Sequence, residues 1–466
     1  MGKLMSCYLM PHAPILLPEI GDSQIKNIKS TFNACYEVAS DIARIAPDTI
    51  IMITPHGPVF EDAIAISAND VVYGNFEQFG NEYIGMECTI DKNLTEKIAS
   101  LAMQNKIPVI KINKTSAKVY GAFTELDHGS MVPLYFINKK HKNYKLVHIT
   151  YGMISKIDLY KFGMIIKKSL EESNNNAILI ASGDLSHCLS NEGPYDYCED
   201  GEKFDKQLIG LLEQGDVVGI FNMDNLLVRN AYECGLRSCY IMLGVMNGYD
   251  IKGKLLSYEG PFGVGYGVMK FDMNNKKVDI SDKIYETLEK TYQEKQKNSS
   301  PYIRLAQQSL SEYLNTGKYI DIPDYVTDDM LTNKRGVFVS IKKYGKLRGC
   351  IGTIFPETKS IANEIIQNAV SAGILDPRFM PIRESELKEI DFSVDILTEP
   401  ELTTREILDP VKYGIIVKCQ NKQGLLLPNL EGVNTIGEQI EIALSKAGIM
   451  NGEEYEIFRF EVKRYK

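Results

Sequence analysis

In the first half of the chain, short apolar, β-rich runs alternate with amphipathic stretches, and this alternation restricts the fold more than any other feature of the sequence. It is the pattern of an α/β domain with a mostly parallel or mixed central sheet flanked by helices. Leu4 to Met10 reads as a strand, Gln24 to Ile45 as a helix and Thr49 to Thr54 as the next strand. Lys145 to Thr150 and Ala177 to Ser182 are further strands, with a helical pattern from Ile157 to Leu170 between them.

A change of composition ends this pattern. From Asn274 to Ser300 the chain is rich in Lys, Glu, Asn, Gln and Ser, the composition of a solvated helix or a tether. This places an N-terminal domain at 1–272, a polar linker at 273–299 and a second domain at 300–466. In the second domain the order of elements is different. Tyr302 to Leu314 is helical, with Pro301 suited to its first turn. Gly336 to Lys342 and Lys346 to Ile351 form a hairpin turning at Tyr344-Gly345. A helix over Lys359 to Ala372, a strand over Asp391 to Leu397, a hairpin around Asn421 to Gly424, a helix over Gly437 to Ala447 and a strand near Tyr455 to Val462 follow. That order describes an α+β domain with an antiparallel sheet.

A length of 466 residues suits two cores, and 44% hydrophobic with 24% charged residues is a globular balance. The formal charge of -9, without a long Lys/Arg block, argues against nucleic acid as a partner. No apolar run is long enough to span a bilayer and no leader pattern opens the chain, so a cytoplasmic protein without a membrane partner is expected. The nine cysteines are scattered without a CxxC pair, which suggests neither a disulfide framework nor a structural zinc site.

Three of the six histidines lie just beyond the carboxyl ends of strands, where the loops of an open α/β sheet converge: His12, His56 and His187. The first two sit in stiff loops, Pro11-His12-Ala13-Pro14 and Pro55-His56-Gly57-Pro58, and flanking prolines lower the entropy cost of holding a ligand. A single histidine beside a strand is ordinarily a structural hydrogen-bonding group; their joint placement points to a metal. His128 follows Asp127, which either orients a ring or caps the next segment. His141, in a Lys-rich run, is expected to be solvated, and His148, inside a strand, to be packed.

These residues carry a family resemblance. Pro11-His12-Ala13-Pro14, Thr54-Pro55-His56-Gly57, Asp127-His128-Gly129 with Val132-Pro133-Leu134, Ser182-Gly183-Asp184-Leu185-Ser186-His187 and Ala231-Tyr232-Glu233-Cys234-Gly235 resemble, in order, the motifs of class III extradiol ring-cleavage dioxygenases of the LigB type. The resemblance implies that His12, His56 and Glu233 hold a non-haem Fe(II) ion with open positions for a catechol-like aromatic substrate and dioxygen. It implies His187 as catalytic acid/base, His128 as a catalytic positioning residue, and Asp127 and Asp184 as carboxylates behind the ligands. Cys234 is an alternative ligand: the related Memo proteins carry a Cys-Gly here, and a thiolate shifts preference toward Zn or Cu. Motif order favours Glu233 over Cys234 as the residue that completes the shell.

The second domain contains Leu347-Arg348-Gly349-Cys350-Ile351-Gly352, with Asp376-Pro377-Arg378-Phe379 and Leu426-Leu427-Pro428, and resembles the AMMECR family. Arg348 is a candidate anion site and Cys350 a candidate nucleophile; against these, Cys350 reads as a strand residue and the glycines as close-packing positions. No histidine follows His187 to act as a base. The pairing of the two halves resembles the AmmeMemoRadiSam grouping. That implies a radical SAM protein as partner and, because such clusters are damaged by oxygen, an accessory metal-binding role as the alternative to ring cleavage. A homo-oligomer is compatible with either.

Overall fold

The computed structural model describes residues 2–276, 279–430, 432–450 and 452–466, with the side chains at 274–276 outside the description. The chain divides into two compact units, Met1–Glu289 and Lys290–Lys466.

The first unit is built on an eight-stranded mixed sheet. Its strands are β1 (Lys3–Met10), β2 (Thr49–Thr54), β3 (Ile64–Ser67), β6 (Val109–Ile112), β7 (Lys145–Thr150), β8 (Asn176–Ser182), β9 (Tyr249–Glu259) and β10 (Tyr266–Lys276). The strands β4 (Val71–Phe76) and β5 (Asn81–Thr89) form a separate hairpin. The order is β6-β3-β7-β2-β8-β1-β10-β9, with β7, β2, β8 and β1 mutually parallel and β10 and β9 antiparallel at one edge. Both faces are covered, so the central strands are apolar at successive positions rather than at alternate ones. Cys7, Leu9, Ile51, Ile53, Leu179 and Ala181 enter the core on one face, and Tyr8, Met10, Ile50, Met52, Ile178 and Ile180 the core on the other.

The helix Lys29–Ile45 lies over the second face. Ala34, Cys35, Val38, Ala39 and Ile42 recur at helical spacing and are all buried. The sequence pattern placed its start at Gln24, but Asp22–Ile28 is a 3₁₀ segment. Leu236–Val245, buried on all sides, packs against Lys156–Glu171 on the first face. Its contact is closest where Gly163 and Gly244 meet, since a Cβ at Gly244 would lie 2.0 Å from the Tyr160 carbonyl oxygen.

The stretch expected as a polar linker is largely the helix Ser281–Asn298, within which the division of the chain falls. Ile284 and Leu288 are buried in the first unit's core, which a free tether would not allow. Lys277 and Val278, also in that stretch, lie outside the described residues.

The second unit has two four-stranded antiparallel sheets. One runs β12-β11-β13-β18, from β11 (Val337–Lys343), β12 (Lys346–Gly352), β13 (Ile390–Leu397) and β18 (Val462–Tyr465). The other runs β14-β17-β15-β16, from β14 (Glu401–Thr403), β15 (Gly414–Cys419), β16 (Lys422–Leu426) and β17 (Glu456–Phe460). The single terminal strand expected near Tyr455 to Val462 is thus two strands, broken at Glu461, that serve different sheets. Tyr344 and Gly345 turn the β11-β12 hairpin with φ of 51° and 80°, the two left-handed residues of a type I′ turn. Helix Ile361–Ile374, capped by Ser360, covers the first sheet.

Candidate metal centre

The parallel strands β2, β8 and β1 are neighbours, and Met10 is in register with Ser182. His12, His56 and Asp184 each lie two residues past the last residue of their strand, so adjacent strands deliver them to one end of the sheet. His128 arrives as the first residue of the helix His128–Asn138, whose N-cap is Asp127.

One ring nitrogen from each of His12, His56 and His128 lies within 4.8 Å of the others. The Nε2 atoms of His12 and His56 are 2.9 Å apart, and the rings of His56 and His128 stack at 4.2 Å. His12 is buried, His128 half-buried and His56 exposed, so the cluster opens to solvent on the His56 side.

Hydrogen bonding selects the tautomer of His12. The Ser182 hydroxyl donates to the Gly129 carbonyl at 2.5 Å, leaving its oxygen to accept from His12 Nδ1 at 3.0 Å. The Nε2 lone pair of His12 then faces the cluster. Burial, reinforced by neighbouring imidazoles, drives the His12 pKa well below its ordinary value and brings those of His56 and His128 down to about 4. All three rings are therefore neutral at neutral pH, the form that ligates a cation.

The structure brings neither Glu233 nor Cys234 into this mutual 4.8 Å cluster, and of the two it is Cys234 that lies beside one of its members. The Glu233 carboxylate accepts from the Leu236 N–H at 2.6 Å and from the Gly235 N–H, so it terminates the helix Leu236–Val245 at the positive end of its dipole. Burial lifts its pKa to about 7. The helix begins at Leu236, and Cys234 occupies the connection before it. There the Cys234 sulfur lies 3.6 Å from His12 Nε2 and 4.0 Å from His187 Nε2.

That position depends on two glycines. A Cβ on Gly183 would lie 2.1 Å from the Gly235 Cα, so the loops bearing Asp184 and Cys234 touch backbone to backbone. Gly183→Ala is expected to cost about 1–3 kcal/mol in chemical denaturation of the first unit, by forcing these loops apart.

Asp184 is buried; it accepts from the His12 backbone N–H at 2.9 Å and lies 3.7 Å from His12 Nε2. Asp127 does not orient the ring of His128. It caps that helix through Ser130 N, accepts from the Thr54 hydroxyl, and meets the buried His148 at 3.1 Å. His148 is packed, as its strand position suggests, and also contacts Ser67 and Ser130. His141, expected to be solvated, is half-buried and stacks on Tyr144.

His187 Nδ1 donates to the Tyr232 carbonyl, which directs its Nε2 lone pair toward Cys234. Tyr232 adopts φ of 54°, and its ring stacks on Tyr195 at 4.1 Å. With Phe79, 5.0 Å from His128, these aromatic rings flank the histidines. Phe79 and Tyr195 carry no sequence signal, since they stand in a short 3₁₀ turn and a loop without periodicity, and Tyr232 was legible only as part of the motif around Glu233. Ser182 and Gly183 were legible only as parts of the motif that ends in His187.

The residues present fit a cation. Two nitrogens each about 2.1 Å from one ion and at a right angle to each other lie about 3 Å apart, close to the His12–His56 spacing. The thiol beside them is held protonated by burial and by the nearby Asp184 and Glu233, a preference that a cation reverses.

In the second unit, Cys350 is half-buried on β12, and the Ser340 hydroxyl donates to its sulfur at 3.2 Å. Arg348 is not available as an anion site beside it, because Glu386 and the Met380 carbonyl take its guanidinium. Arg378 instead donates to the Cys350 carbonyl at 3.0 Å. Gly349 is a packing position, since its Cβ would lie 2.0 Å from the Ala372 carbonyl oxygen.

A doubly covered α/β sheet that gathers histidines at the carboxyl ends of adjacent parallel strands defines a class of α/β proteins with a candidate metal centre. The chain belongs to the LigB family: the model described as the catalytic LigB subunit of aromatic ring-opening dioxygenase matches residues 6–269, and the AMMECR1 model matches 303–465. Protein CA_C1420 of Clostridium acetobutylicum is 52% identical over 465 residues, covering 100% of this chain and 99% of that one. A Thermotoga maritima protein is 45% identical over 170 residues, 36% of this chain and 97% of its own. The crystal structure of the uncharacterized protein JW3007 from Escherichia coli K12 is similar with a TM-score of 0.40 and 14% identity, over 57% of this chain and 99% of that one. Among the described residues no helix is long and apolar enough to cross a membrane.

Proposed function

We propose that the N-terminal unit binds one transition-metal ion between His12, His56 and Cys234, and serves as the metal-binding accessory of a radical SAM enzyme. The observation that carries this reading is the exchange of neighbours at the helix start: Cys234 sulfur is 3.6 Å from His12 Nε2, while the Glu233 carboxylate is held by backbone N–H groups. A site with two imidazoles and a thiolate suits Zn or Cu as well as Fe(II), whereas two imidazoles and a carboxylate suit Fe(II) oxygenase chemistry. Association with an AMMECR1 unit supports the accessory role. The nine free thiols accord with a cytoplasmic setting.

The second reading is Fe(II)-dependent extradiol cleavage of a catechol-like substrate, favoured by the family match and by His187. The Nε2 lone pair of His187 is free to take a phenolic proton and return it, while the Tyr232 carbonyl steadies the opposite nitrogen. His128 and the aromatic rings of Phe79, Tyr195 and Tyr232 would hold a planar substrate beside it. A ferrous ion, when bound, would supply Lewis acidity toward the catecholate and electrons for dioxygen.

Anaerobic metal analysis followed by oxygen uptake with simple catechols separates the two. The accessory reading expects about one ion per chain and no catechol-dependent uptake with Fe(II), Zn or Cu. Uptake that requires Fe(II) and is lost in His187→Ala would establish the second reading instead.

A further inference from the structure

Directly after His187 the chain forms a loop, residues 188–198, closed at its base by two cysteines. The Cys198 N–H donates to the Cys188 carbonyl at 2.9 Å. Backbone paired in this way sets facing Cα atoms roughly 5 Å apart, inside the span of about 4.4–6.8 Å that a disulfide bridges. The Cys188 sulfur lies 3.8 Å from the Cys198 carbonyl oxygen, and also 3.3 Å from the Asn230 and 3.6 Å from the Ala231 carbonyl oxygens. Gly201 keeps the space around that sulfur open, since a Cβ there would come within 2.7 Å of it.

Cys198 is also the N-cap of the helix Glu199–Gln214, a position where its side chain makes no capping bond. Serine, threonine, aspartate and asparagine serve that position through their side-chain oxygens, which a thiol replaces poorly. The loop between the cysteines carries Tyr195, which stacks on Tyr232 and lies 6.5 Å from the His187 ring.

We propose that Cys188 and Cys198 form a thiol–disulfide site, reactive toward small-molecule disulfides, that staples this loop shut beside His187. Cys198, half-buried, is the attacking residue. Its thiol gives a proton to water, and its sulfur attacks one sulfur of the small disulfide. That S–S bond breaks, a mixed disulfide forms, and the departing thiolate takes up a proton. The Cys188 sulfur then attacks the Cys198 sulfur and releases the second small thiol, which carries away the Cys188 proton. Two protein thiols are oxidised and one small disulfide is reduced to two thiols. Cys188 is fully buried, and burial raises its thiol pKa to about 11, which suits the resolving rather than the attacking role. The bridge holds Tyr195 against Tyr232 and narrows the approach to His187, whichever ion occupies the centre.

The test treats the full chain with oxidised glutathione, maps cysteine linkages by peptide mass spectrometry, and follows the rate at which diethyl pyrocarbonate modifies His187. The expected results are a Cys188–Cys198 linked peptide and a several-fold slower modification of His187, both reversed by reductant. Cys188→Ser should stop at a glutathione adduct on Cys198. Cys198→Ser, which restores a capping oxygen and so should fold at least as well, should leave Cys188 unmodified. A persistent Cys198 adduct in the unaltered chain, or no reaction at either thiol, would overturn the proposal. So would a linked loop in which His187 reacts at its original rate.

Discussion

Cys234→Ser is expected to weaken metal binding by the N-terminal unit more than about 100-fold, because loss of even an outer-shell partner of a ligand costs 10–100-fold. Glu233→Gln, one residue away, is expected to retain the ion, since a glutamine oxygen can still accept from the Leu236 N–H. Equilibrium dialysis of the two variants against Zn and, anaerobically, Fe(II) gives the comparison. The contrast is large because the thiol faces His12 while the carboxylate is engaged with the backbone. If Glu233→Gln loses the ion and Cys234→Ser keeps it, the carboxylate-ligated Fe(II) centre replaces the thiolate one.

The second large effect falls on stability. Asp127→Ala is expected to destabilise the first unit by about 3–5 kcal/mol, because it strands several buried partners at once. The Thr54 hydroxyl, the Ser130 N–H and hydroxyl, and His148 all point at this carboxylate. Urea denaturation, followed with a probe confined to the first unit, measures the loss.

The same carboxylate sets a pH dependence. Burial alone would raise its pKa, but the His148 and Thr54 hydrogen bonds and the charge of His148 outweigh that and hold it well below the ordinary carboxylate range. A depressed folded-state pKa contributes stability that is present above the unfolded value of about 4 and is lost as pH falls toward the folded value. The unaltered first unit should therefore lose stability progressively below about pH 4, and Asp127→Asn should flatten that part of the profile. Thermal melts between neutral pH and the acid limit provide the check.

Much of the fold was legible because the central strands are buried on both faces. The apolar runs Thr49–Thr54 and Lys145–Thr150 are the strands β2 and β7, with the same ends. Prolines next to His12 and His56 and the strand-end positions were enough to place both residues at one end of the sheet. Glu233 and Cys234 were harder to separate because they precede the helix, where no periodicity indicates which neighbour points inward. What sets their surroundings is non-local: Gly183 touches the Gly235 backbone, and Asp184 N lies 3.4 Å from the Cys234 sulfur, 50 residues away in sequence. Arg348 shows the same limit in the second unit: its neighbours in sequence are glycine and leucine, and its ion-pair partner, Glu386, comes from a distant 3₁₀ turn. The polar composition of Ser281–Asn298 hid a helix whose two deeply buried residues, Ile284 and Leu288, stand one turn apart.

X-ray absorption at the edge of the bound metal tests most directly whether a thiolate completes the centre. A sulfur scatterer at about 2.3 Å together with nitrogen at about 2.0–2.1 Å is expected, the sulfur disappearing in Cys234→Ser. A first shell made only of nitrogen and oxygen in the unaltered protein would contradict it.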